Sequence, residues 1–146
     1  MEMQFDREHS SGYLANWAAR LFARAIDRRL KPLGLSSAYM PVFFALAAGD
    51  ALSQTALAER AAVEQPTMAN TLKRMERDGL VARRPDPRDA RASLVSLTPS
   101  AVAKLKSVQA AGHAVNDIAM GSLSPSEREQ YRMLLLKVIA SLEAES

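Results

Sequence analysis

The chain contains no cysteine among its 146 residues, only two histidines, and few aromatics: one tryptophan, three tyrosines and four phenylalanines. Without cysteine there is no disulfide scaffold, thiolate nucleophile or cysteine metal site, and the composition fits a reducing cytoplasm. His9 and His113 have no second ligand at metal-binding spacing apart from Asp117, four residues after His113. A single His–Asp pair is ordinarily a surface pair, so no metal is expected. No glycine-rich phosphate loop, nucleophile elbow or Ser/His/Asp set is present, so the chain reads as no enzyme and implies no cofactor. No apolar run approaches the ~18–20 residues of a membrane span. The start, MEMQFDREHSSG, is polar and acidic, which argues against a signal peptide. The length is one domain's worth, enough to bury a core without metals or disulfides.

What is present centres on residues 53–97. In EQPTMANTLKRMERDGL, residues 64–80, Met68, Leu72 and Met75 share one helical stripe, and Gly79 supplies a stop. The other faces carry Gln65, Thr67, Asn70, Lys73, Arg74 and Arg77. Pro66 falls in the first turn, where its missing N–H removes no helical bond. The preceding SQTALAERAAV reads as a shorter helix capped by Ser53, with Ala56, Leu57 and Ala61 inward. Two short helices around a tight turn, the second polar and basic outward, form a helix-turn-helix.

Residues 80–84 and 92–97 are strand-like, separated by PDPRDAR. Two prolines among charges have turn chemistry and cannot form a central strand. A helix-turn-helix followed by a charged hairpin is a winged helix. Arg83 and Arg84 lead to its tip, and Arg88 and Arg91 lie on it, suited to the negative potential of a narrow minor groove. Between Lys73 and Arg91 seven basic residues face four acidic ones, a surplus of three that equals the chain's whole net charge of +3. Such a concentration predicts a phosphate-binding footprint.

The run LAERAAVEQPTMANTLKRMERDGLVARRPDPRDARASLVSLT resembles the DNA-binding lobe of the MarR family of bacterial transcription regulators. Its most diagnostic part is D-P-R-D-A-R at 86–91. GLSSAYMPVFFAL upstream and two C-terminal helices match in order and length, so the likeness covers nearly the whole chain. The expected fold is mainly α with a small β-hairpin. A single domain is expected over 1–146, with the winged helix-turn-helix lobe at 53–97 and helical dimerisation regions at 11–31 and 98–144.

The flanking segments fit that plan. Residues before about Ser10 are expected to fray. Leu14, Trp17, Ala18, Leu21, Phe22, Ala25 and Ile26 recur at helical spacing up to Lys31-Pro32-Leu33-Gly34. Ser36 caps a second helix ending at Gly49-Asp50, with a kink expected at Pro41, which departs from the commonest family pattern. Thr98-Pro99 opens a long helix to about Gly121 with Val102, Leu105, Val108, Gly112, Val115 and Ala119 inward, and Lys104 and Lys106 solvated. Ser124-Pro125-Ser126-Glu127 is a capping box that starts the last helix. Its Leu134, Leu135, Val138, Ile139 and Leu142, beside Tyr131, exceed a single stripe. That excess, and the family's pairing of first and last helices, predict a homodimer.

A two-fold dimer implies a pseudo-palindromic site on double-stranded DNA with half-sites about one helical turn apart. Thr67, Asn70 and Arg74 are expected at base edges. Lys73, Gln65, Ser53, Gln54 and Thr55 are expected at phosphates, beside the wing's Arg84 and Arg88. The resemblance assigns Arg91 to the minor groove, with Asp89 orienting it through an ion pair. It also implies repression relieved by a small effector, in this family commonly an aromatic anion. Trp17, Arg20, Tyr39, Met40 and Phe43 are the expected lining, with Arg24 as a further counter-charge. Peroxide sensing through cysteine, known in related regulators, is excluded. The competing readings are an architectural DNA binder or a protein-interaction winged helix, neither with operator specificity.

Overall fold

The computed structural model describes residues 5–146 and divides by backbone proximity into two compact units, Met1–Gly112 and His113–Ser146. In the first unit, helix α1 spans Ser11–Leu30 and starts where Ser10 Oγ accepts the N–H of Tyr13 at 3.2 Å. The segment before it does not fray where described. Asp6 accepts the N–H groups of Glu8 and His9 and pairs with His9 Nδ1 at 2.9 Å, which folds Arg7–His9 into a 3-10 turn. Residues 1–4 lie outside the described residues. The helix ends through the 3-10 turn Lys31–Leu33 and Gly34, whose φ of 74° is left-handed. The α1 apolar stripe is only partly covered in the chain: Leu14 is 41% and Leu21 48% exposed, Trp17, Phe22 and Ile26 are half-buried, and only Leu30 is buried.

Ser36 caps a third 3-10 turn, Ser37–Tyr39, which passes into α2, Met40–Leu46. The expected kink at Pro41 is therefore not needed. The proline lies in the first α-helical turn, where it removes no internal bond, and the irregular geometry precedes it.

Helix α3, Gln54–Ala61, is capped by Ser53 Oγ on Ala56 N at 3.2 Å. The turn to α4, Gln65–Arg77, is made by Ala62 at φ 55°, a left-handed position held without glycine. Ala62 N–H bonds the carbonyls of Ala58 and Glu59, and Val63 N bonds Ala58 O at 2.9 Å, so the end of α3 is satisfied. Met68, Leu72 and Met75 are buried as expected, joined by Thr71. They pack in one core with Tyr39, Val42, Phe43, Leu46, Leu57 and Leu80.

Gly79, at φ 72°, turns the chain out of α4 and lets Leu80 N reach Met75 O at 2.8 Å. Strands β1, Val81–Asp86, and β2, Asp89–Leu97, pair antiparallel with Val81 opposite Leu97 and Pro85 opposite Ser93. Both run further into PDPRDAR than the sequence reading allows, which leaves Pro87-Arg88 as the turn. Pro85 is tolerated because each strand of a two-stranded sheet is an edge. Asp86 pairs with Asp89, so residues 90–92 leave the ladder as an irregular bulge. The wing is also held from below. Leu52 and Val95 exchange backbone bonds of 3.0 and 2.7 Å, and Thr98 Oγ1 donates to Gly79 O at 2.6 Å.

Thr98 also caps α5, Pro99–Ala119. Its buried residues in this unit are Ala101, Val108 and Ala111, so Val102, expected inward, is 52% exposed. Lys104 is not simply solvated: its ammonium donates to Leu33 O at 3.2 Å. A Cβ built on Gly112 would lie 3.5 Å from Met40 Cε, ordinary contact that a methyl group can share.

The second unit holds the end of α5 and α6, Pro125–Glu145. Ser124 and Glu127 form the reciprocal capping box, with bonds of 3.2 and 2.9 Å. No residue of α6 is buried: Leu135 is 37%, Ile139 42%, Val138 53%, Leu134 60% and Leu142 62% exposed. Among the described residues no helix is long and apolar enough to cross a membrane.

Candidate nucleic-acid interface

The buried stripe of α4 fixes which residues look outward. With Met68, Leu72 and Met75 turned into the core, the 3.6-residue period places Asn70, Lys73 and Arg77 on the opposite, exposed face. Three elements meet there. Gln54 from α3, Asn70, Lys73, Glu76 and Arg77 from α4, and Arg83 from β1 line an open groove of about 630 Å³. Arg83 Nε donates to Glu76 Oε2 at 2.8 Å, bridging the wing to the helix across it.

The sequence-predicted residues distribute unevenly around this groove. Gln54, Asn70 and Lys73 line it. Thr55, Gln65 and Thr67 are exposed nearby on the first turns of α3 and α4, while Ser53 is half-buried with its hydroxyl accepting the capping bond. Arg74 is exposed but does not line the groove. Its guanidinium carbon lies 5.3 Å from the Tyr39 ring centroid, on the flank of the helix. The cations on the open face are instead Lys73 and Arg77, with Arg83 opposite. The sequence counts Arg77 and Arg83 in the basic footprint but assigns neither an individual contact on the recognition helix's open face. Spacing held the signal for Arg77, which follows Asn70 by seven residues and Lys73 by four.

On the wing, Arg84, Arg88 and Arg91 are all exposed. Two carboxylates shape its tip through the backbone: Asp86 accepts the N–H of Arg88 at 2.9 Å, and Asp89 accepts that of Arg91 at 3.0 Å. The expected Asp89–Arg91 ion pair is replaced by this local turn bond, because a short carboxylate reaches the N–H two residues on. Asp89 thus fixes the backbone that carries Arg91, not its guanidinium.

The expected effector residues divide into two sets. Tyr39 and Phe43 are each 2% exposed and belong to the core. Met40 is half-buried against that core. The Tyr39 hydroxyl donates to Asp78 Oδ2 at 2.5 Å. Burial, then this bond, raises the phenol above its ordinary range, so it stays a donor. Tyr39, then Arg77, holds the Asp78 carboxyl below its ordinary range. Trp17 and Arg20 line a separate cavity of about 170 Å³ with Arg7, Tyr13, Leu21 and Arg24. Arg7 lies 4.4 Å over the Trp17 ring and Arg20 5.7 Å over Tyr13, so one face of each ring carries a cation. Among the described residues no cluster of three His, Asp or Glu is placed to hold a metal.

Comparison with known proteins matches this geometry to a family. A MarR family model matches residues 33–92, from the end of α1 to the wing. A MarR-family transcriptional regulator from Silicibacter pomeroyi is 31% identical, with 93% of this chain and 92% of that one aligned at a TM-score of 0.73. BpsR from Bordetella bronchiseptica, described with regulation of its DNA binding by 6-hydroxynicotinic acid, is 25% identical over 93% of this chain and 97% of that, at 0.84. A MarR variant from Escherichia coli complexed with operator DNA shares the fold at 24% identity, covering 94% of this chain and 99% of that, with a TM-score of 0.83. Members of this family are transcription regulators rather than enzymes, and the chain belongs to it: it is a MarR-family winged-helix protein.

Proposed function

We propose that this DNA-binding regulator acts as a homodimeric, sequence-specific repressor on a pseudo-palindromic operator and is released by a small aromatic anion. The reading makes the chain one functional domain, 1–146, working in the cytoplasm on the nucleoid. The observation that carries it is the groove where Gln54, Asn70, Lys73, Arg77 and Arg83 converge beside a wing bearing Arg84, Arg88 and Arg91. Asn70 and Thr67 project where a major-groove helix meets base edges, and an asparagine amide suits adenine bidentately. Lys73, Arg77, Gln65, Gln54, Thr55 and Ser53 serve phosphates, the last through its remaining hydroxyl proton. Arg91 enters the minor groove from the backbone turn that Asp89 holds, with Arg84 and Arg88 on the flanking phosphates. A second copy covers Leu134, Leu135, Val138, Ile139 and Leu142 of α6, which are uncovered in the single chain.

For release, the cavity of Trp17, Arg20 and Arg24 combines apolar rings with cations suited to an aromatic carboxylate. The 6-hydroxynicotinic acid of the Bordetella relative is of that class. The deciding experiment is an anisotropy titration on DNA from upstream of the protein's own gene and on scrambled duplex, at several salt concentrations. A preference of ~10³-fold or more with a negative log–log salt slope supports an operator-specific regulator. Equal, salt-sensitive affinity for these and for random-pool DNA means architectural binding, and no binding at all means an interaction module.

A further inference from the structure

The Tyr39–Asp78 contact joins two parts of the first unit that the DNA-binding surface does not itself include. Asp78 is the C-terminal cap of α4, where a carboxylate faces the negative end of the helix dipole. Both of its oxygens are engaged there, Oδ2 by the Tyr39 hydroxyl at 2.5 Å and Oδ1 by Arg77 Nε at 3.1 Å. Tyr39 is held in turn by the capped 3-10 turn, where Ser37 N–H donates to Asp27 Oδ1 of α1 at 2.6 Å. Two short bonds, Ser37 to Asp27 and Tyr39 to Asp78, thus link α1 through the 3-10 turn to the last turn of α4. The same tyrosine ring carries the Arg74 guanidinium on its face.

We propose that Tyr39 is a positioning residue for DNA recognition: its hydroxyl, through Asp78, sets the orientation of α4, and its ring keeps Arg74 on the flank of that helix. This rests on the reading that α4 enters the major groove. A helix held at its C-terminal turn presents Asn70 and Thr67 in one register; released there, it tilts, and base-edge bonds that need sub-ångström placement suffer first. Phosphate contacts through long, flexible cations tolerate the tilt. The hydroxyl therefore governs the preference for operator more than the affinity for DNA in general.

The test is a double-mutant cycle of Tyr39→Phe and Asp78→Ala, read by anisotropy on operator and on scrambled duplex, with folding at the assay temperature checked by circular dichroism. Tyr39→Phe keeps the ring and its packing and deletes only the donor. Asp78→Ala removes the same bond from the surface side, together with the Arg77 contact, so only Tyr39→Phe is held to an unchanged salt slope. The expected result is a fall of about tenfold in the operator-to-scrambled preference for each single variant, with the salt slope of Tyr39→Phe unchanged and no further fall in the double variant. Losses that multiply in the double variant, equal losses on both duplexes, or a lowered melting temperature with unchanged preference would overturn the proposal. Should the wild type show no operator preference, the reading beneath it fails as well. That outcome is recognised from the wild-type titration alone.

Discussion

Arg83 Nε donates to Glu76 Oε2 at 2.8 Å, so the first wing strand is tied to the recognition helix by a side-chain ion pair. The partners are 32% and 50% exposed, which limits the pair to under ~1 kcal/mol of stability. Its geometric effect is larger. It sets the wing's base against the outer face of α4 and places the groove's one carboxylate, Glu76, against a cation. The wing is therefore anchored by this pair, by the Leu52–Val95 backbone bonds and by the Thr98 hydroxyl on Gly79 O.

Removing that carboxylate separates the two effects. Glu76→Gln is expected to leave the melting temperature within a few degrees of wild type, because the pair is exposed. Affinity for scrambled duplex should rise severalfold, since a negative charge beside phosphates is gone and Arg83 is released to them. A nitrocellulose filter assay at two salt concentrations measures this. Unchanged or weaker non-specific binding would show that the groove does not face the phosphate backbone.

For the wing, Arg91→Ala is expected to weaken operator binding at least tenfold and to reduce the salt slope by about one, the loss of one phosphate-region cation. Asp89→Ala retains the guanidinium but frees the N–H of Arg91. It should give a smaller loss with the slope intact, or steeper because one acidic charge is removed. An Arg91→Ala protein with wild-type affinity and slope would place the tip of the wing outside the complex.

Periodicity and capping were the parts of this architecture that local sequence encoded. Met68, Leu72 and Met75, the caps at Ser53 and Thr98 and the box at Ser124 all depend on residues within one or two turns of each other. Other features depend on partners far apart in the chain and left no local mark. The Tyr39–Asp78 bond spans 39 residues. For Arg74, a helical wheel shows exposure but not the Tyr39 ring that lies beside it. At Ala62 the local signal was misleading, because left-handed turns usually announce themselves with glycine or asparagine. The wing tip illustrates the same limit: the family resemblance implies an Asp89–Arg91 ion pair, while the turn gives the carboxylate a nearer N–H.

That turn yields a stability prediction. Ala62 holds φ 55°, where a Cβ is disfavoured by roughly 1–2 kcal/mol. Glycine removes that strain but gains freedom in the unfolded chain worth up to ~1 kcal/mol. Ala62→Gly is therefore expected to be neutral or stabilising by up to ~1 kcal/mol. Ala62→Val should destabilise more than is usual for an exposed site. Urea denaturation of the three proteins checks the order, and a valine variant as stable as glycine would contradict it.

Acid dependence follows from Asp78. Its carboxyl titrates below the ordinary range because Tyr39, then Arg77, bonds its charged form. A depressed acid contributes stability above its unfolded value of about 3.9, which is lost as pH falls towards its lower folded value. Relative to wild type, Asp78→Asn should therefore lower the melting temperature at pH 7. The gap should close below about pH 4. A gap independent of pH would mean that shape, not charge, is what Asp78 contributes.

The uncovered face of α6 makes the strongest demand on the protein's state in solution. Leu134, Leu135, Val138, Ile139 and Leu142 are between 37% and 62% exposed on one helix with no buried residue. A run of that size left in water favours association. Sedimentation equilibrium at micromolar concentration is expected to give twice the chain's 15.9 kDa. Leu135→Glu, at the least exposed of these leucines, would place a charge in the contact and should return the mass to that of one chain. Two linked half-site contacts would then become independent, so operator affinity should fall by 10²-fold or more through lost bivalency. Each lobe keeps its own core, so scrambled-duplex binding should change far less. A wild type that sediments as a single chain would end the dimer reading, and the palindromic operator with it.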